Sequence, residues 1–91
     1  MKKLSVLIFS LYSFILYAQS INPELLKRAN AGDASAQYEV GNIYYGGYNV
    51  LQDYKKAAEW YLKAANQGYA PAQNDLGYMY RYGEGLTQDY K

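Results

Sequence analysis

The sequence contains no histidine and no cysteine among its 91 residues. Their absence excludes disulfide bonds, zinc sites built from the usual nitrogen and sulfur ligands, and catalytic systems that need a Cys or His nucleophile. Charge is also nearly balanced, with 9 Lys and Arg against 8 Asp and Glu. Because there is neither a basic excess nor an acidic tract, we predict no nucleic-acid partner. We also predict no metal and no cofactor.

Residue types that often carry catalysis are present, but they lie in no catalytic pattern. None of the glycines falls in a GxGxxG or GxxxxGK[ST] frame that would hold a phosphate. The carboxylates are scattered, and Asp53 recurs as Asp89 at a position that suits a helix cap. Ser35 has no histidine or lysine arranged around it in a known motif. We therefore predict no catalytic residues and no enzymatic activity.

The first twenty residues have the layout of a secretory signal peptide. A basic start, Met1-Lys2-Lys3, precedes an apolar run over residues 4–17 that only serines interrupt. This run is shorter than the roughly 20 residues that a membrane-spanning helix needs. Small residues at Ala18 and Ser20 suit cleavage after residue 20, with a cut after Ala18 as the rival. We expect an exported protein, periplasmic or secreted, without a stable membrane span; the alternative is an uncleaved anchor or a buried first helix.

The remainder of the chain repeats itself after 36 residues, the separation of Gly32 from Gly68. This shift aligns residues 29–55 with residues 65–91 without a gap, and about half of the aligned positions are identical. The identical pairs include Ala29/Ala65, Gly32/Gly68, Ala36/Ala72, Gln37/Gln73, Gly41/Gly77, Tyr44/Tyr80, Gly47/Gly83, Asp53/Asp89 and Tyr54/Tyr90. A repeat of this length is typical of stacked helical hairpins.

Each repeat is expected to contain two amphipathic helices. Apolar residues recur at helical spacing in two groups, Ala36, Val40, Ile43 and Tyr44, and then Ala57, Trp60, Tyr61, Ala64 and Ala65. Asp53 can cap the second helix, and Gly68 can end it in the left-handed conformation. In the loop between the helices, Asn49 replaces Gly85 where a left-handed residue is expected. Gly41 and Gly77 lie inside a helix, which indicates close approach of a neighbouring helix.

Many positions in fixed order resemble the SEL-1-like repeat, an offshoot of the tetratricopeptide class. The first copy reads Ala34-x-Ala36-Gln37-x-x-Val40-Gly41-x-x-Tyr44-x-x-Gly47 and then Asp53-Tyr54-x-Lys56-Ala57-x-x-Trp60-Tyr61-x-Lys63-Ala64-Ala65. The resemblance implies an all-α fold, a right-handed α/α solenoid of helical hairpins, with under two complete repeats in this chain. It also implies an adaptor or scaffold that binds proteins. Some secreted relatives are cysteine-rich and have been described as penicillin-binding or weak β-lactamases.

These observations divide the chain into a signal peptide (1–20), an N-terminal helix (21–32), a first repeat (33–68) and a truncated second repeat (69–91). The favoured function is an exported adaptor for protein–protein interaction. One alternative is a ligand-binding or weakly β-lactamase-like protein, and another is a fragment without an independent role.

Positions that differ between the copies predict the contact surface, because residues that hold the fold should recur. On the first helix of each repeat, a stripe of residues opposite the packed side differs between the two copies. In solenoids of paired helices, this helix lines the concave face. We name this stripe the first-helix face and predict that it binds a protein partner with little role in stability. Its members are Ser35, Tyr38, Asn42, Tyr45, Asn74, Tyr78 and Arg81. The alternative is an ordinary solvated surface.

The second repeat is expected to lack cover on its packed side. Lys91 stands where the second helix of that repeat would begin, by comparison with Lys55. The residues expected to be partly exposed as a result are Leu76, Gly77, Met79 and Tyr80. We therefore predict that the isolated chain is frayed from about Ala70 onward or self-associates through this repeat, and that the functional protein is longer or is completed by a partner.

Overall fold

The computed structural model describes residues 20–86, and this part of the chain forms four α-helices without a strand. They are α1 (Pro23–Asn30), α2 (Ala34–Gly46), α3 (Tyr54–Ala65) and α4 (Ala70–Tyr82). Helices α2 and α3 form the hairpin of the first repeat, and α4 is the first helix of the second. Each helix packs on the next one along the chain, α1 on α2, α2 on α3 and α3 on α4. The predicted all-α solenoid of helical hairpins is confirmed.

The predicted signal peptide, residues 1–20, lies outside the described residues except for Ser20. Its cleavage therefore stays a prediction. Among the helices of residues 20–86, none is long and apolar enough to cross a membrane.

Two aspartates fix where the helices of the first repeat begin. The Asp33 Oδ1 atom accepts the backbone N–H of Ala36 at 3.1 Å, and the Asp53 Oδ1 atom accepts that of Lys56 at 3.0 Å. The backbone hydrogen bond from Ala36 is the main reason that the pKa of Asp33 is lowered. The predicted capping role of Asp53 is confirmed.

The connections between the helices follow the predicted turn chemistry. Asn49 has a φ of 60°, and its counterpart Gly85 has a φ of 72°, so both occupy the left-handed region. Gly68 follows α3 with a φ of 82°, as predicted. Asparagine tolerates this conformation better than most residues, which explains how the two copies exchange Asn for Gly at one place.

One side-chain hydrogen bond recurs in both repeats and explains an identical pair. Gln37 Nε2 donates to the carbonyl oxygen of Ala29 at 3.1 Å, and Gln73 Nε2 donates to that of Ala65 at the same distance. Donor and acceptor are both shifted by the 36-residue period. Each glutamine therefore adds a side-chain donor to a carbonyl near the end of the preceding helix, which also accepts the backbone N–H of the glycine three residues on.

The core forms two clusters along the stack of helices. The cluster between α1 and α2 consists of Ala29, Ala36 and Val40, with Leu25, Tyr44 and Trp60 packed against it. The cluster between α3 and α4 consists of Ala57, Ala58, Tyr61, Ala64, Ala72, Leu76 and Met79. Small alanines dominate both clusters, so neighbouring helices approach closely.

The expectation that the packed side of α4 is exposed is only partly right. Leu76 and Met79 are buried, and Tyr80 is half-buried, whereas Gly77 is exposed as predicted. Leu76 and Met79 belong to the cluster shared with α3, and Leu86 from the following loop packs against the same cluster. The cover comes from the preceding helix α3 and from the loop after α4, whereas the expectation considered only the second helix of the same repeat as a source of burial.

Candidate partner-binding cleft

Helices α2 and α4 bound a cleft of about 260 Å³ that also reaches α3. Its lining residues are Asn42, Tyr45, Tyr61, Asp75 and Tyr78. Three phenol rings, one amide and one carboxylate therefore face a common space. We refer to this space as the tyrosine cleft.

Tyr61 is the most deeply buried residue of the tyrosine cleft, with only 2% of its surface exposed. Its hydroxyl donates to Asn42 Oδ1 at 2.6 Å. Burial raises the pKa of the Tyr61 phenol, so the hydroxyl stays protonated and remains a donor at neutral pH. This hydrogen bond holds the amide of Asn42 at the cleft.

Tyr38 connects the two repeats beside the tyrosine cleft. Its hydroxyl donates to Asp75 Oδ2 at 2.7 Å, and this hydrogen bond is the main reason that the pKa of Tyr38 is raised. The Tyr38 ring lies 5.5 Å from the ring of Tyr61 and 5.4 Å from that of Tyr69, measured between centroids. Tyr38 thereby fixes the position of the Asp75 carboxylate.

Tyr45 makes the second connection between the repeats. Its hydroxyl donates to Glu84 Oε1 at 2.8 Å, and its ring centroid lies 5.0 Å from that of Tyr54. Burial, followed by the hydrogen bond to Glu84, raises the pKa of Tyr45. The Tyr45 hydroxyl is therefore uncharged at neutral pH. The Glu84 carboxylate that accepts its hydrogen bond lies next to this cleft residue.

The structure brings three members of the first-helix face to the tyrosine cleft, namely Asn42, Tyr45 and Tyr78. Tyr38 adjoins the cleft through Asp75. Asn74 and Arg81 are exposed and line a neighbouring hollow on α4, of about 420 Å³, which also includes Asp75 and Tyr78. Ser35 is half-buried near the start of α2 and lines neither space.

The expectation that the whole first-helix face has little role in stability is wrong for Tyr38, Asn42 and Tyr45. All three are half-buried, and each makes a hydrogen bond to another helix or loop. Tyr78 differs, because 52% of its surface is exposed and its ring stacks on exposed Tyr82 at a centroid distance of 4.5 Å. The variable stripe of the first copy thus faces the second copy as well as solvent.

Sequence reasoning missed Tyr61, Asp75 and Glu84. The helical spacing of Tyr61 predicts a core position. Spacing alone does not reveal that the hydroxyl of Tyr61 reaches the cleft. For Asp75 a signal was available, since the equivalent position of the first copy is the acidic Glu39. This shared acidity is a weak signal, because Glu39 is exposed in the structure whereas Asp75 accepts the Tyr38 hydroxyl. Glu84 replaces Tyr48 of the first copy and had no such signal.

Comparison with solved structures supports the fold. The chain is similar to a protective antigen present in uropathogenic Escherichia coli strains, whose crystal structure displays an SLR fold, that is, a fold of SEL-1-like repeats. The two share 42% sequence identity with a TM-score of 0.72, over 78% of this chain and 15% of the antigen. The chain therefore corresponds to a small part of that protein's length. No curated protein matches the chain significantly.

The family model of the Sel1 repeat matches residues 34–69 and 70–91, which together make up more than half of the chain. Proteins built from these repeats generally mediate protein–protein interactions and are generally non-enzymatic scaffolds. Three features agree with this match. They are the repeat period, the hairpin of α2 and α3, and the glutamine side-chain hydrogen bonds that recur after 36 residues. The chain belongs to the Sel1 repeat family.

Proposed function

We propose that this chain is an exported adaptor module whose tyrosine cleft binds a segment of a protein partner. The single observation that carries the proposal is the convergence of Tyr45, Tyr61 and Tyr78 with two polar side chains in one cleft. Tyrosine provides a large contact area at a small cost in conformational entropy, and it is enriched in protein interfaces. The first-helix face is retained as the binding surface in this proposal.

Preorganisation supports a binding role for the cleft. Asn42 is held by Tyr61, and Asp75 is held by Tyr38, so two polar groups are positioned before any partner arrives. A surface whose side chains are already ordered loses less entropy on binding. The exposed pair Tyr78 and Tyr82 extends the aromatic surface beyond the cleft.

The enzymatic alternative has less support from the same residues. The five side chains from residues 20–86 that line the cleft include no serine, threonine or lysine that could serve as a nucleophile. The one carboxylate among them, that of Asp75, already accepts a hydrogen bond from Tyr38. We therefore favour recognition over chemistry as the role of this cleft.

Affinity capture tests the binding role. Purified protein is immobilised and exposed to the exported proteins of the organism that makes it, in parallel with Tyr78→Ala and the control Tyr48→Ala. Tyr48 is 66% exposed and lies in the loop after α2, and it is not among the residues that line the cleft. We expect a specific protein to be retained by the original protein and by Tyr48→Ala, and lost with Tyr78→Ala. Equal capture by all three proteins would contradict the proposal.

Export is part of the proposal and needs its own test. The basic start and the short apolar run support a signal peptide over residues 1–20. We expect intact-mass analysis of the exported protein to find an N-terminus at Gln19 or Ile21. A product that keeps Met1 and stays with the membrane fraction would contradict this part of the proposal.

Self-association through the second repeat is a second candidate, favoured by a separate groove between α3 and α4. Its apolar lining includes Ala58, Leu62, Leu76, Tyr80 and Leu86, and Leu62 is 44% exposed. A second copy placed there would bury this groove. We expect light scattering to show a dimer that Leu62→Lys converts to a monomer. A monomer at all concentrations in the unsubstituted protein would rule this candidate out.

A further inference from the structure

We propose that the tyrosine cleft recognises a basic side chain of the bound segment, with arginine as the best fit. This inference rests on the proposed binding function and specifies the chemistry of the partner. It is carried by a fixed carboxylate that shares a cleft with three phenol rings, where residues 20–86 contribute no basic side chain to the lining.

The carboxylate of Asp75 gives the cleft its charge. Among the lining residues that belong to the described part of the chain, 20–86, Asp75 is the only charged one, and none is Lys or Arg. Its Oδ2 atom accepts the Tyr38 hydroxyl, which is a neutral donor and leaves the negative charge in place. A half-buried carboxylate is stabilised further by a cation that donates hydrogen bonds to it. The structure therefore favours a cationic group in the cleft.

A second carboxylate, that of Glu84, is hydrogen-bonded to the lining residue Tyr45 but is not itself among the residues that line the cleft. Glu84 Oε1 accepts the Tyr45 hydroxyl, again from a neutral donor. The nearest basic member of the first-helix face is Arg81, which lines the neighbouring hollow and not the cleft itself. The charge at the cleft is therefore negative. It comes from the Asp75 carboxylate in the lining and from the Glu84 carboxylate next to Tyr45.

The phenol rings favour arginine among the basic side chains. A guanidinium group is planar, stacks on aromatic rings and donates to a carboxylate through two N–H groups at once. Tyr45 and Tyr78 supply the accessible rings of the cleft that also contains the Asp75 carboxylate, because Tyr61 is only 2% exposed. The same protein already places cations on aromatic rings elsewhere, with Lys63 Nζ 4.2 Å from the centroid of the Trp60 ring. Both elements of arginine recognition therefore meet in the cleft.

A pair of model peptides tests the inference. One is the blocked pentapeptide acetyl-Gly-Gly-Arg-Gly-Gly-amide, and the other carries citrulline, a neutral isostere, in place of arginine. Each is titrated into the isotopically labelled protein, and amide chemical shifts are followed by NMR. We expect the arginine peptide to shift signals of Asn42, Tyr45, Asp75 and Tyr78 and to bind on the order of tenfold more tightly than the citrulline peptide.

Two matched variants locate the charge that is recognised. Asp75→Asn removes the charge but keeps an oxygen that can accept the Tyr38 hydroxyl, so the fold should persist by circular dichroism. We expect this variant to bind both peptides with the same weak affinity. Glu39→Gln removes a carboxylate from an exposed site on α2 outside the cleft and should leave the preference for arginine unchanged.

Three results would overturn the inference. They are the absence of binding by either peptide, equal affinity of the unsubstituted protein for both, or an equal loss of arginine preference in Glu39→Gln and Asp75→Asn. The last result would indicate diffuse attraction by net charge. If Tyr78→Ala abolishes capture of the natural partner while Asp75→Asn does not, the binding function stands and only the basic specificity fails.

Discussion

Gly41 and Gly77 occupy equivalent positions in the two repeats, but their surroundings differ. A Cβ atom added at Gly41 would lie 2.5 Å from two carbon atoms of the Tyr61 ring and 3.3 Å from the carbonyl oxygen of Ala57. A Cβ atom added at Gly77 would meet no atom of residues 20–86 within 4 Å. Close packing therefore requires glycine at position 41. At position 77, no contact within the described residues requires it.

The first-helix face shows a parallel difference between the copies. Tyr38 and Tyr45 of the first copy each donate a hydrogen bond to a carboxylate of the second copy. Their counterparts, Asn74 and Arg81, are exposed on α4. A variable position in a repeat protein can thus serve the junction between repeats in one copy and face solvent in the next. Variation between copies does not by itself separate binding residues from junction residues.

Raising the pH should have the largest effect, because it acts on all the phenols at the junction together. The pKa values of Tyr38, Tyr45 and Tyr61 are raised in the folded state above the usual value near 10. Stability from these neutral phenols is complete below pH of about 10 and is lost as the pH rises toward the higher folded pKa values. We expect cooperative unfolding above this range, followed by circular dichroism together with tyrosinate absorbance. Tyrosinate formation in a chain that keeps its helices would contradict this expectation.

Gly41→Ala should have the largest effect among single substitutions. The new methyl group would overlap the buried Tyr61 ring, which cannot swing away without losing its hydrogen bond to Asn42. Overpacking of this kind costs about 1–3 kcal/mol, partly offset by up to about 1 kcal/mol of improved helix propensity. We expect the free energy of unfolding to fall, measured by urea denaturation. An unchanged or higher stability would show that α2 and α3 are packed less closely than described.

Tyr38→Phe should have a smaller effect and tests the junction between the repeats. The substitution keeps the ring but removes the hydrogen bond to Asp75, at a cost of about 1 kcal/mol. The control is Tyr78→Phe, since Tyr78 is largely exposed and should tolerate the change. Urea denaturation of both variants provides the comparison. Equal stabilities would mean that the Tyr38 hydroxyl does not hold the two copies together.

Gly77→Ala should give the smallest change, and in the opposite direction. The position lies in the interior of α4 and has space for a methyl group, so the gain in helix propensity is not offset by a clash. We expect the free energy of unfolding to rise by up to about 1 kcal/mol. Destabilisation in the same assay would mean that another surface packs against Gly77, either from a second copy or from residues beyond 86.

Much of the fold follows from local sequence patterns. The 36-residue period, the cap at Asp53 and the left-handed position of Asn49 each depend on residues close in the chain or on the register of the repeat. Local chemistry determines these features, so they could be predicted.

The contents of the cleft depend on side chains that meet across helices. Tyr38 reaches Asp75, and Tyr45 reaches Glu84, at separations of 37 and 39 residues. Neither separation equals the period, so aligning the two copies does not place these pairs side by side. The burial of Met79 likewise depends on how α4 lies against α3. Such features need the angle and distance between helices, which the sequence pattern does not specify.

Site-specific photo-cross-linking provides the most direct test of the claim that the tyrosine cleft binds a protein. A photoreactive phenylalanine analogue is placed at position 78, at the cleft, and in separate proteins at the exposed control positions 48 and 51. Each protein is irradiated in the organism that makes it, and the products are identified by mass spectrometry. We expect a discrete cross-linked protein from position 78 that is missing from positions 48 and 51. The same product from all three positions, or a product from the control positions alone, would contradict it.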